Sequence, residues 1–149
     1  GVLLGGDMML PRISTNVSVH AGEPEANSLK LFLDSLLKFL PLPEDTLGLP
    51  AHGKPFLGIH RRVGQLQDGE FDFNEPVGVG GGDAERPMSA AEALPILFKR
   101  ALDVHQMTFA MGETVAHLHY LWNEGEVQRT RDAQGVWRFS AVAADAPQA

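Results

Sequence analysis

From Asn27 to Leu40 the apolar residues Leu29, Phe32, Leu33, Leu36, Leu37 and Leu40 recur at spacings of three and four, with Lys30, Asp34, Ser35 and Lys38 between them. That period places one continuous apolar face on an α-helix. Asn27 or Ser28 can cap its first turn, and Pro41 with Pro43 stops it. Such a face must be covered, and short apolar runs stand on either side of it. Val2-Leu3-Leu4 reads as a strand closed by Gly5-Gly6, and Thr46-Leu47-Gly48-Leu49 as a strand closed by Pro50. Strand, helix and strand in that order point to an α/β layer arrangement. Val2 to Leu4 has the character of an inner strand, so its sheet neighbours are expected upstream of Gly1.

Each strand ends in a polar residue beside permissive backbone: Asp7 follows Gly5-Gly6, and His52 precedes Gly53. Residues at strand tips face whatever lies beyond the sheet, so both are candidate site residues. Carboxylate oxygen and imidazole nitrogen are good zinc donors, although a site normally needs three or four ligands. The chain has no cysteine, which removes a disulfide framework, a thiolate metal site and a cysteine nucleophile. No Gly-x-Ser-x-Gly elbow occurs, so serine hydrolase chemistry has no support. His20 reads as a loop histidine. Phe56, Ile59, Val63 and Leu66 resume a helical spacing, and His60, Arg61 and Arg62 read as its solvated face or as the border of a pocket near His52.

The formal charge of −7 is unevenly placed: residues 68–83 hold five acids and no base, while the segments on either side are close to balanced. Neither has the basic face that draws a protein to nucleic acid. No apolar run approaches the ~20 residues that span a bilayer, and no basic-then-apolar leader precedes Gly1. A cytoplasmic protein without membrane partners is expected.

Residues 67–84 carry five glycines and Pro76, and are expected to form a Gly-rich acidic linker rather than a helix. Asp68, Glu70, Asp72 and Asn74 alternate as in a calcium loop, but the sixth position is Phe73 and the twelfth Val79, which rules out an EF-hand. Gly78 to Asp83 falls short of a dinucleotide fingerprint because Asp83 replaces the last glycine and no buried strand precedes it.

Beyond it, Ser89-Ala90-Ala91-Glu92 is a capping box that starts a helix running to about Arg100. A second helix is expected from Met111 or Gly112 to Trp122, ended by Gly125. Val127 to Thr130 and Val136 to Phe139 then form a hairpin. Helices followed by a hairpin make a winged-helix shape, which often binds DNA. Here Arg129, Arg131 and Arg138 are the only bases of the wing, and a packing role is favoured. His117 and His119, two apart on a helix, point about 200° apart and cannot chelate one ion together. Glu113 and His117, one turn apart, can pair.

Gly6-Asp7, Leu10-Pro11-Arg12-Ile13-Ser14-Thr15-Asn16-Val17-Ser18, the leucine-striped helix and Leu49-Pro50-Ala51-His52-Gly53-Lys54-Pro55-Phe56 together resemble the carboxy-terminal half of metallo-β-lactamase-fold hydrolases. Arg86-Pro87-Met88-Ser89-Ala90-Ala91-Glu92 and Phe109 to Leu118 resemble the winged-helix domain appended to one branch of that superfamily. The resemblance implies a partial αββα sandwich over 1–66, the linker over 67–84, a winged-helix domain over 85–140 and a flexible tail over 141–149. The segment 67–83 departs from the family, which usually continues the preceding helix there; a local frame change in the coding sequence is one account of it.

By the same resemblance, Asp7 bridges two zinc ions and His52 binds one of them. The intact enzyme then directs a metal-activated hydroxide at an ester, thioester, amide or phosphoester bond of a small molecule. The family's His-x-His-x-Asp-His cluster is not present in the sequence, so the ligand set is incomplete, no further catalytic residue is assignable, and the isolated chain is expected to be inactive. The alternative is a non-catalytic interaction module or truncated remnant; a third reading is a nucleic-acid-binding winged helix. Cutting the sheet should also expose the Leu29 to Leu40 face and promote self-association.

Overall fold

The computed structural model describes residues 1–78 and 86–142, with the backbone alone over 70–78. It is a mixed α/β structure of four α-helices and two small sheets among the described residues. Strand β1 (Val2–Gly6) pairs in parallel with β2 (Leu47–Pro50), and helix α1 (Ser28–Leu36) lies between them in sequence. Helix α2 (Ile59–Gly78) follows, then α3 (Ala90–Leu97), α4 (Val104–Glu124) and an antiparallel hairpin of β3 (Val127–Arg131) with β4 (Trp137–Ala141).

Helix α1 forms as its pattern requires. Asn27 accepts from the Lys30 amide at 3.3 Å, and Leu29, Phe32, Leu33 and Leu36 are buried. Each is worth about 1.5–3 kcal/mol of burial. They pack with Met9 and Val17 of the long connection after β1, with Ile59, Val63 and Leu66 of α2, and with Ala116 of α4. The face expected to be exposed is therefore covered, by helices rather than by more sheet. Only its far end, Leu37 and Leu40, is partly exposed, because the chain tightens into a 3-10 turn over Leu37–Phe39 and the stripe rotates away. Val2 and Leu4 of β1 are exposed, as are scattered apolar residues elsewhere, among them Ile13, Leu31, Leu57 and Val104.

The second departure is in 67–84. Helix α2 continues through Gly78, so the first part of that segment is helical and not a loop. The physical reason is cooperativity: Ile59, Val63 and Leu66 anchor the first turns, and extending a nucleated helix is far easier than starting one. Of the five glycines only Gly69 falls inside α2; Gly78 ends it, and the remaining three lie outside the described residues. Residues 79–83 of the near-fingerprint that begins at Gly78, and the tail from residue 143, also lie outside them.

Helix α4 is longer than its sequence suggested and serves two cores. Its start is a capping box in which Asp103 accepts from the Gln106 amide at 2.8 Å and the Gln106 side chain returns to Asp103. Ala116 faces the α1–α2 core, whereas Leu118 and Leu121 join Ala93, Val127 and Phe139 in the second. Gly112 sits mid-helix because a Cβ there would lie 2.5 Å from Ser18 Oγ, and Val19 donates to its carbonyl at 3.2 Å. Helix α3 ends at Leu97, three residues before the expected Arg100.

Candidate metal centre

The parallel register sets the site. Gly6 stands opposite Pro50, and the Ala51 amide donates to the Gly6 carbonyl at 3.0 Å, so the two strands stop level with each other. One residue beyond the first tip is Asp7, and two beyond the second is His52. Their side chains meet, His52 Nε2 lying 3.5 Å from Asp7 Oδ1. Both are largely exposed, at 61% for Asp7 and 74% for His52. The two residues singled out in the sequence are thus brought together, across 45 positions of chain.

Both tips are fixed by their surroundings. Gly6 and Gly53 have positive φ, 51° and 92°, which turn the chain sharply at each tip. Gly48 and Phe56 exchange backbone hydrogen bonds of 2.8 and 3.0 Å, folding the 51–55 loop back on β2. The Phe56 ring lies so close over Gly48 that a Cβ there would sit 2.8 Å from it. On the other side, Arg62 of α2 donates to the Leu10 carbonyl at 2.6 Å and to that of Ile13 at 2.8 Å. His60 reaches the Leu42 carbonyl at 2.8 Å. His60 and Arg62 are thus engaged with backbone rather than forming a simple solvated face, and Arg62, offered by the sequence also as the border of a pocket near His52, holds the loop that walls it. Its signal, a cation one turn beyond the buried Ile59, is too common to be read alone.

The donor set fits a divalent metal. With both donors at ~2.1 Å, a 3.5 Å separation subtends roughly 110° at an ion between them, near the tetrahedral angle. Among the described residues no group of three or more His, Asp or Glu could hold a metal. Beside the pair a groove of about 630 Å³ runs between the 10–13 and 52–56 loops, with His52 at its edge.

The other histidine cluster is structural. His119 is 2% exposed; its Nδ1 lies 3.2 Å from the Ala26 carbonyl and its Nε2 3.3 Å from Arg129 Nη1. The first contact needs a donor on the ring and the second an acceptor, so His119 is the neutral Nδ1–H tautomer. Burial, and secondarily the Arg129 cation, hold its pKa below the ordinary histidine value. Arg129 itself is stacked between Trp122 and Trp137, 3.7 and 4.0 Å from the ring centres, and reaches Glu25 at 2.5 Å. His117 is also buried.

A strand-tip aspartate and histidine held level by a parallel pair, backed by helices, is the layout expected of the carboxy-terminal part of a metallo-β-lactamase fold. A family described as the metallo-beta-lactamase-like C-terminal domain matches residues 83–142. A beta-lactamase domain protein from Burkholderia ambifaria superimposes with a TM-score of 0.89 and 52% sequence identity, over 95% of this chain. A metallo-beta-lactamase family protein from Thermus thermophilus gives a TM-score of 0.78 and 31% identity over the same share. The chain belongs to the metallo-β-lactamase-like family. It spans 42% of the length of each of these two structures. No curated protein matches the sequence. Among the described residues, no helix is long and apolar enough to cross a membrane.

Proposed function

We propose that Asp7 and His52 are two ligands of a zinc centre whose remaining ligands are supplied from outside this chain, and that the complete protein is a metal-dependent hydrolase. The observation that carries this reading is the 3.5 Å approach of Asp7 Oδ1 and His52 Nε2 at level strand tips. When bound, zinc supplies a nucleophile from water near neutral pH and draws electron density from the bond under attack. Asp7 offers a charged oxygen, and His52 a nitrogen that is a ligand only when unprotonated. The Gly48–Phe56 clamp and the Gly53 turn fix the backbone that carries His52. An ester, thioester, amide or phosphoester is the bond class the reading covers.

The hairpin supports a packing role, not a nucleic-acid one, for the carboxy-terminal winged-helix-like part. Arg129 is consumed by two tryptophans and Glu25, Arg138 pairs with Asp132 and Glu92, and Arg131 lies over Trp137. A phosphate backbone would have to compete with these contacts.

Zinc titration of the chain, followed by NMR at the histidine rings, tests the metal reading. His52 signals should shift saturably, His20 and His60 should not, and Asp7→Asn should weaken the response about tenfold or more. Equal shifts at His20, or an unchanged response in Asp7→Asn, would overturn it.

A further inference from the structure

We propose that the groove beside His52 is a specificity pocket for an apolar group that carries an anion, and that Arg12 and Lys54 select the anionic end. That such a ligand is a substrate rests on the metal reading above; that the groove binds it does not. At about 630 Å³ the groove is the size of a small-molecule site. Its walls are apolar, formed by Leu10, Pro11 and Ile13 on one side and by Pro55 and Phe56 on the other. Ile13 is 64% exposed, an apolar cost that an apolar ligand would relieve.

Two cations and no carboxylate complete the lining. Arg12 and Lys54 project from opposite loops, and no ion pair joins either to a described residue. Lys38, Arg61 and Lys99 also lack an ion pair among the described residues, but of these cations Arg12 and Lys54 alone line this groove. Among the other cations, Arg86 and Arg138 pair with Glu92 and Arg129 with Glu25, while Arg62 is spent on the Leu10 and Ile13 carbonyls. Two uncommitted cations facing one apolar groove complement a carboxylate or phosphate on an apolar body.

The walls are also preformed, which limits the ordering cost of binding. Arg62 pins the carbonyls on both sides of Pro11-Arg12. The Gly48–Phe56 exchange pins the loop carrying Lys54. The two walls approach closely at Gly53, where a Cβ would lie 2.9 Å from the Pro11 ring.

The test is an NMR titration of the chain with octanoate, octyl phosphate, octanamide and acetate, with EDTA present so that no metal–carboxylate bond contributes. Octanoate or octyl phosphate should shift Gly53 and Phe56 saturably, the tighter of the two naming the preferred head group. Octanamide and acetate should bind at least about tenfold more weakly, one lacking the charge and the other the apolar body. Arg12→Gln and Lys54→Gln should each weaken octanoate binding severalfold, and both residues are exposed, so the fold is not at stake. Octanamide binding as tightly as octanoate, variants without effect, or shifts that never saturate would overturn the proposal. Octanoate binding in a chain whose His52 ignores zinc would leave the groove standing and remove the metal reading; the reverse would remove only the groove.

Discussion

Replacing Arg129 with alanine should be among the most damaging changes outside the apolar cores. The side chain is 7% exposed and stacked between Trp122 and Trp137 at 3.7 and 4.0 Å. Desolvated cation–π contacts are worth up to about 2 kcal/mol each. His119 Nε2 would lose its donor inside the structure, adding about 1 kcal/mol. Glu25, 57% exposed, is left out of the sum because solvent screens it. With one cation shared between two rings, about 1–1.5 kcal/mol per stack is taken, and the total is about 3–4 kcal/mol, a large share of ordinary domain stability. With a urea slope of about 2 kcal/mol per molar, the midpoint should fall by roughly 1.5–2 M. Arg129→Lys keeps the charge for Glu25 but cannot present a planar face to both tryptophans, and should recover less than half of the loss. A midpoint shift under about 0.5 M, or full rescue by lysine, would refute the claim that stacking rather than charge fixes the hairpin.

Three further outcomes are expected. The His119 pKa is lowered by burial, so the folded state keeps it neutral while the unfolded chain binds a proton below about 6.5. Stability is then full above that value and lost as pH falls toward the lower folded pKa, with a slope of up to about 1.4 kcal/mol per pH unit. NMR should find His119 still neutral at a pH where the unfolded chain's imidazoles are charged, and a charged ring there would contradict this. Gly53→Ala should cost about 2 kcal/mol, since its φ of 92° disfavours a side chain and Pro11 stands in the way; thermal unfolding checks this, and an unchanged transition would contradict it. Gly112→Ala, which improves helix propensity by about 1 kcal/mol, should still destabilise because of Ser18, and a gain in stability would show that the two segments are not in contact.

What could be read in the sequence was whatever is local and periodic. The buried set Leu29, Phe32, Leu33 and Leu36, the Ser89 capping box and the hairpin all follow from spacing and capping chemistry. The pairing of Asp7 with His52 needed a parallel register that no local rule supplies; family resemblance indicated it and the strand register accounts for it. Helix α4 was begun too late, at Met111 or Gly112, because the Asp103–Gln106 box upstream was passed over; Gly112 is a mid-helix point of close approach to Ser18. The glycine count of 67–84 misled in the same way: it averaged a helix end with the residues after it, although only Gly69 lies within α2. Arg129 was counted as a wing base. Its burial depends on Trp122, Trp137 and Glu25 converging from three places in the chain.

The central claim is that Asp7 and His52 share one metal ion, and zinc-edge X-ray absorption on the chain loaded with less than one equivalent of zinc tests it most directly. The account predicts a single imidazole shell at about 2.0 Å with the remaining donors oxygen at about 2.0–2.2 Å, and loss of the imidazole signal in His52→Ala. Two or more imidazoles, or a spectrum unaffected by His52→Ala, would place the zinc elsewhere and contradict the account.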